Sequence, residues 1–250
     1  MKRLFKSLIA CFSTYSKIPM PYVQLGARDS SLALAFFPLV GVVIGIVEYI
    51  WGYAYSCLPI NNIVYALIAA VIPIIITGGI HLDGYMDTCD AFNSYADRDK
   101  KLEIMKDPRT GAFAVIHLAA FGLIYIALLY MLSEKGILFF CFSFVFSRIF
   151  SGISVCTINR AKRDGMIYSI QKYSDNKTVF YILLVLFAIV SIVTSFISPI
   201  ATGITVIMLL LMYFVYREKC ERVLGGITGD TSGAYLCMIE LVLLMVSVIV

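Results

Sequence analysis

Asp83, Asp87 and Asp90 stand at i, i+4 and i+7 in Gly78-Gly79-Ile80-His81-Leu82-Asp83-Gly84-Tyr85-Met86-Asp87-Thr88-Cys89-Asp90. On a helix that spacing lines three carboxylates along one stripe. Like charges so placed repel, and a cation is expected among them. Hard divalent ions take carboxylate oxygens, and Mg2+ combines a few of these with substrate phosphates. The stretch follows directly on an apolar run, so the chemistry it suits is phosphotransfer on a membrane-held substrate. The plainer alternative is a solvated loop whose aspartates cap the next helix. One aspartate serves that purpose; three at helical spacing are not needed for it.

Three further segments carry candidate chemistry. In Met105-Lys106-Asp107-Pro108-Arg109-Thr110-Gly111, Lys106 and Arg109 suit phosphate, and arginine offers a bidentate fork. Asp107 is placed to cap a helix started by Pro108, and Gly111 admits an anion near a helix N-terminus. Leu224-Gly225-Gly226-Ile227-Thr228-Gly229-Asp230-Thr231-Ser232-Gly233 resembles a phosphate cradle, with Gly226, Thr228 and Gly229 offering backbone N–H groups and a hydroxyl. Read plainly, it is a turn capped by Asp230 or Thr231. It lacks the Gly-Lys-Ser/Thr ending of a P-loop, which excludes that kind of NTPase. Arg160-Ala161-Lys162-Arg163-Asp164 reads either as a membrane anchor or as a clamp on an anionic substrate.

The elements that must position these residues are membrane spans. Hydrophobic residues make up 60% of the 250 and charged residues 14%, where a soluble domain is about half apolar and a quarter charged. Seven segments are long and apolar enough to cross a bilayer: about 33–57, 62–80, 111–132, 137–157, 178–197, 200–216 and 232–250. The stretch 4–16 is short and lysine-flanked, as an interfacial or re-entrant piece would be. The expected fold is all-α, one polytopic helical bundle over residues 1–250. Positive charges orient it. Lys2, Arg3, Lys6, Lys17 and Arg28 lie in the N-terminal arm, and further basic residues fill loops 81–110, 158–177 and 217–231, while the alternate loops hold only Lys135. The N-terminus and the acidic motifs are therefore expected in the cytosol. No small-residue cleavage site follows the first apolar stretch, so a cleaved leader is not expected. The seven cysteines lack metal or disulfide spacing and read as small hydrophobes. Glu48, Arg148 and Glu240 fall within spans and must pair or line a polar cavity; Arg148 with Glu240 or Glu48 is the expected pairing. His117 reads as a buried structural histidine.

Taken in order, the motifs resemble the cobalamin synthase family. The matching residues are Phe12-Ser13-Thr14 with Ile18-Pro19 and Pro21, Pro38-Leu39-Val40-Gly41 with Gly45, and the Gly78–Asp90 stretch. Ile104-Met105-Lys106-Asp107 with Arg109 and Gly111, Gly225-Gly226 with Thr228-Gly229-Asp230 and Gly233-Ala234, and Glu240 complete the set. Ala91 stands where the family often has glycine, and Ser94-Tyr95 is a smaller departure; neither removes a charge. The resemblance implies a Mg2+-dependent membrane transferase in a prokaryotic inner membrane. It would pass adenosylcobinamide phosphate from adenosylcobinamide-GDP to α-ribazole or its 5′-phosphate, with release of GMP. Such a transfer needs charge neutralisation on the diphosphate and a positioned nucleophile, which on these residues reads as metal on Asp83, Asp87 and Asp90, with Asp83, Asp87 or Asp230 as the catalytic acids that take the hydroxyl proton. Lys106, Arg109, Gly226, Thr228 and Gly229 would hold phosphate. No nucleic-acid partner is expected, and an oligomer is left open.

Two other readings compete. The aspartate spacing is similar to that of the CDP-alcohol phosphotransferases, which carry an Ala-Arg step where this chain has Tyr85-Met86. A transporter would use Glu48, Arg148 and Glu240 as a relay, but here the acids crowd one face and no matched helix breaks are evident.

Overall fold

A computed structural model describes residues 2–24, 31–162 and 174–250. Arg28, Arg163, Asp164 and Lys172 lie outside the described residues. The described chain is helical throughout, in order α1 (Lys2–Tyr15), α2 (Phe37–Cys57, entered by a 3-10 turn Ala33–Phe36), α3 (Asn62–Thr77), α4 (Ile80–Asn93), α5 (Arg98–Ile104), α6 (Ala112–Tyr130), α7 (Glu134–Thr157), α8 (Asn176–Ser195), α9 (Pro199–Leu224) and α10 (Gly229–Val248). Six of these helices are long and apolar enough to cross a membrane: α2, including its 3-10 turn, α6, α7, α8, α9 and α10.

The seventh expected span, 62–80, takes a different form. Its helix α3 starts on an Asn61 cap, whose Oδ1 accepts from the Ile63 N–H at 2.9 Å, and stops at Thr77. Its 16 residues reach only about 24 Å, short of a ~30 Å hydrocarbon core. Gly78 and Gly79 take φ of +67° and +76°, a left-handed backbone that glycine adopts without penalty. There the chain turns 96° into α4, so the aspartates occupy a separate helix, and α3 with α4 together make a broken span or a re-entrant loop. α9 runs the other way, eight residues beyond its expected end at 216 and on to Leu224. Its charged tail is helical because Arg217 bonds Glu221 at 3.1 Å and Arg222 pairs with Glu218, both at i,i+4 spacing.

α7 and α10 form the buried centre, and α2 and α4 pack on them. The α2–α7 seam is built on small residues. A Cβ at Gly41 would lie 2.2 Å from the Phe144 carbonyl oxygen, and one at Gly45 would lie 2.5 Å from that of Cys141. This spacing lets two backbones meet directly, as small residues do in membrane helices. Glu48 lies on the same face of α2 and is 1% exposed. Arg148 pairs with Glu240, not Glu48, and Ser147 bridges the two at 2.9 and 3.2 Å. All seven cysteines are free thiols.

Candidate active site

α4 carries Asp83, Asp87 and Asp90 along one side, and the first turn of α10 adds Asp230. The two helices touch through glycine: an ideal Cβ on Gly84 would stand 2.8 Å from the Asp230 carbonyl oxygen and 2.9 Å from its Cα. Gly233 makes the matching approach, 3.0 Å from the His81 carbonyl oxygen. Two motifs whose touching residues Gly84 and Asp230 lie 146 positions apart in sequence thus share one surface. The crowding shows in Asp87, whose pKa is raised from 3.8 to about 6, first by partial burial and then by the charges of Asp83, Asp230 and Asp90. Among the described residues, no three carboxylate, imidazole or thiol groups already stand at chelating distance.

The capping of α10 fixes Asp230. Thr228 Oγ1 accepts from the Thr231 N–H at 3.1 Å, and Thr231 Oγ1 accepts from the Thr228 N–H at 2.9 Å, a reciprocal box. Neither Asp230 nor Thr231 is the cap, and the Asp230 carboxylate is left for the acidic surface. The glycine loop ahead of it is internally bonded. The N–H of Gly226 donates to Cys220 O and that of Ile227 to Asn159 O. A Cβ on Gly226, where φ is +150°, would strike Asn159 O at 2.3 Å. Gly226 and Thr228 therefore shape the loop, while Gly229 and Asp230, both half-buried, open the first turn of α10.

The middle motif meets the stripe at its other end. The Asp90 carboxylate rests on Gly111, so that a Cβ there would lie 1.8 Å from Oδ2. Gly111 is the N-cap of α6, and the anion at that helix start is Asp90. Asp107 does not cap α6. It accepts from Arg109 N–H and Nε, each at 3.0 Å, and pairs with its Nη2 at 2.7 Å. The Arg109 fork holds the Asp107 carboxyl down at about 2. The guanidinium stays exposed, as does Lys106 on the same loop. His117 is half-buried, not buried, and faces its own helix, with Nδ1 2.8 Å from Phe113 O.

Other residues gain importance only in three dimensions. Arg98 donates from Nε to Leu224 O at 2.7 Å and from Nη2 to Ala161 O at 2.9 Å, tying the glycine loop to the strand-like contact of Arg160 with Ile227. Lys101 closes onto Ala91 O at 3.0 Å and onto Ser94 O. Lys162 bonds Leu102 O at 2.9 Å and lies within electrostatic reach of Asp230. A cleft of about 510 Å3 beside Asp83 is lined on its far side by Ser13, Thr14, Ser16 and Lys17. The Lys17 side chain lies across Gly78. The Phe12–Pro21 motif was the sequence signal for that wall; nothing in sequence pointed to Arg98.

Residues 7–248 match the family described as Cobalamin-5-phosphate synthase. An adenosylcobinamide-GDP ribazoletransferase of Lachnoclostridium phytofermentans is 36% identical over 94% of this chain and 90% of its own length. Proteins of the same name from Clostridium botulinum (strain Alaska E43) and Clostridium perfringens (strain SM101) are 31% and 29% identical, covering 97% and 96% of this chain and 96% of each of theirs. No solved structure matches the chain.

Proposed function

The chain belongs to the cobalamin-5-phosphate synthase family, and from that premise we propose how its own residues carry out the reaction. It is a multi-pass membrane transferase of cobalamin biosynthesis that completes the nucleotide loop: adenosylcobinamide phosphate passes from adenosylcobinamide-GDP to ribazole, and GMP leaves. Nothing in the comparisons supports a phospholipid substrate. The observation that carries the site assignment is the convergence of Asp83, Asp87 and Asp90 with Asp230 across the Gly84 contact.

The donor set suits Mg2+: Asp83, Asp87 and Asp90 are carboxylates, hard oxygen donors, and partial burial together with the neighbouring charges already disfavours a bare charge on Asp87. Asp83, Asp87 and Asp90 would hold the ion, which when bound neutralises charge on the diphosphate. Asp230, fixed by the Thr228 cap and held near Lys162, accepts the proton of the attacking 5′-hydroxyl. Lys106 and Arg109 meet phosphate from the exposed loop, and the Gly229 turn presents a helix N-terminus to it. Gly226 and Thr228 serve by keeping that turn in place. The basic residues of the N-terminal arm and the long loops support a cytosolic position for this face.

Purified protein in liposomes with Mg2+, adenosylcobinamide-GDP and α-ribazole should release GMP and form the corrinoid product. Turnover of a CDP-linked lipid with an alcohol, and none of this pair, would move the protein to the phospholipid class.

A further inference from the structure

A second hollow, of about 290 Å3, lies between α3, α4, α6, α7 and α10, opening outward past Leu67, Val71 and Ile74. It shares Thr77, Gly79 and Leu82 with the cleft beside Asp83, so the two adjoin at the α3–α4 bend. Its walls are mostly apolar, but three buried polar atoms on its lining residues have no partner: His81 Nε2, Tyr125 Oη and Arg148 Nε. Their residues are 8%, 5% and 1% exposed. Buried polar atoms are nearly always hydrogen-bonded, and unpaired ones in a cavity point to a missing partner. Phe121 and Tyr125, stacked with ring centroids 5.5 Å apart, supply aromatic surface on the same wall.

We propose that this hollow receives the heteroaromatic base of ribazole, leaving the ribose 5′-hydroxyl over the Asp83 cleft; the inference rests on the transferase reading above. A flat bicyclic base offers π faces to the Phe121–Tyr125 wall. It also offers one unsubstituted ring nitrogen, an acceptor for a donor among the three unpaired groups. A lipid chain fills apolar space but pairs with none of them. Small ligand sites have this composition, an apolar lining with a few convergent polar groups. The base would thus be selected by size and by one hydrogen bond, apart from the carboxylates that handle phosphate.

Gly122 gives the test. It lines the hollow, and a Cβ built there meets nothing within 4 Å, so a side chain can start there without striking backbone and Gly122→Leu is the variant that adds volume. GMP release by the full-length protein in liposomes, with each substrate varied in turn, should show the KM for α-ribazole raised about tenfold or more. The KM for adenosylcobinamide-GDP and the melting temperature should stay at wild-type values. The smaller imidazole riboside should lose less than α-ribazole does. Tyr125→Phe, which removes only a hydroxyl, should also raise the α-ribazole KM, and it decides the matter if Gly122→Leu lowers the melting temperature. An acceptor KM within twofold of wild type, a fall in kcat alone, or an equal rise in both KM values overturns the base site. Absence of GMP release from wild type would instead overturn the transferase reading itself.

Discussion

Replacing Gly84 with alanine tests whether the α4–α10 contact sets the geometry of the site. The new Cβ would stand 2.8 Å from Asp230 O, 2.9 Å from its Cα and 3.3 Å from its carbonyl carbon. These are backbone atoms and cannot rotate away. Relaxing the shortest contact to about 3.5 Å moves the helices apart by roughly 0.7 Å. Overpacking of this kind costs about 1–3 kcal/mol, and the helix gains back about 1 kcal/mol because alanine is the better helix former. The net change is about 2 kcal/mol or less, so the protein still folds. Catalysis is more sensitive: a displacement of about 1 Å costs on the order of a hundredfold in rate, and Asp230 is carried away from Asp83, Asp87 and Asp90. The expected result is kcat for GMP release lowered about 30- to 100-fold with the thermal transition preserved. Gly203→Ala is the control, since a Cβ there meets nothing within 4 Å, and it should leave kcat unchanged. A Gly84→Ala enzyme within threefold of wild type would refute the argument that this contact positions the acids.

Four other perturbations follow from the same structure. Gly111→Ala displaces the Asp90 carboxylate from its resting place, and the Mg2+ concentration for half-maximal activity should rise about tenfold, as loss of a ligand-orienting contact does; an unchanged Mg2+ titration contradicts this. Arg98→Ala removes two bonds to loop carbonyls; with the side chain half exposed, about 1–2 kcal/mol of stability should go, read by denaturant titration. Glu240→Ala strands a buried Arg148 and should destabilise by about 3–5 kcal/mol, with the apolar pair Arg148→Met/Glu240→Leu recovering most of it. For Asp87, the folded pKa near 6 lies above the ordinary 3.8, so the folded cation-free protein binds the proton more tightly than the unfolded chain. Its stability therefore falls as pH rises from about 4 to about 6, and Mg2+ should raise the melting temperature more at pH 7 than at pH 5.

The parts of this structure legible in the sequence are those governed by periodicity. The stripe of Asp83, Asp87 and Asp90 needed only 3.6 residues per turn, and most spans needed only a long apolar run. The expected span 62–80 ran through the glycine pair at 78–79, because the 96° turn there depends on how α4 packs against α10. The charged tail of α9 reads as a loop by hydropathy, yet its i,i+4 pairs keep it helical. Asp107 gives up its expected capping duty and Thr228 takes one because capping depends on where the backbone actually starts to coil. Asp107 closes on Arg109 while Gly111 begins α6, and Thr228 takes the position expected of Asp230 or Thr231. Arg98, Lys101 and the wall formed by Lys17 act across long sequence separations, where local pattern carries no information. The partner of Arg148 was likewise open between two acids until α7 and α10 were seen side by side.

The most direct test of the central claim compares wild type with Asp87→Asn in GMP release from adenosylcobinamide-GDP and α-ribazole across a Mg2+ titration. Thermal melts of both proteins without the ion accompany it. The variant should melt no lower than wild type, because a partly buried and repelled charge has been removed, and yet should have lost Mg2+-dependent turnover. Turnover and Mg2+ response equal to wild type would contradict it and take the acidic face of α4 out of the reaction.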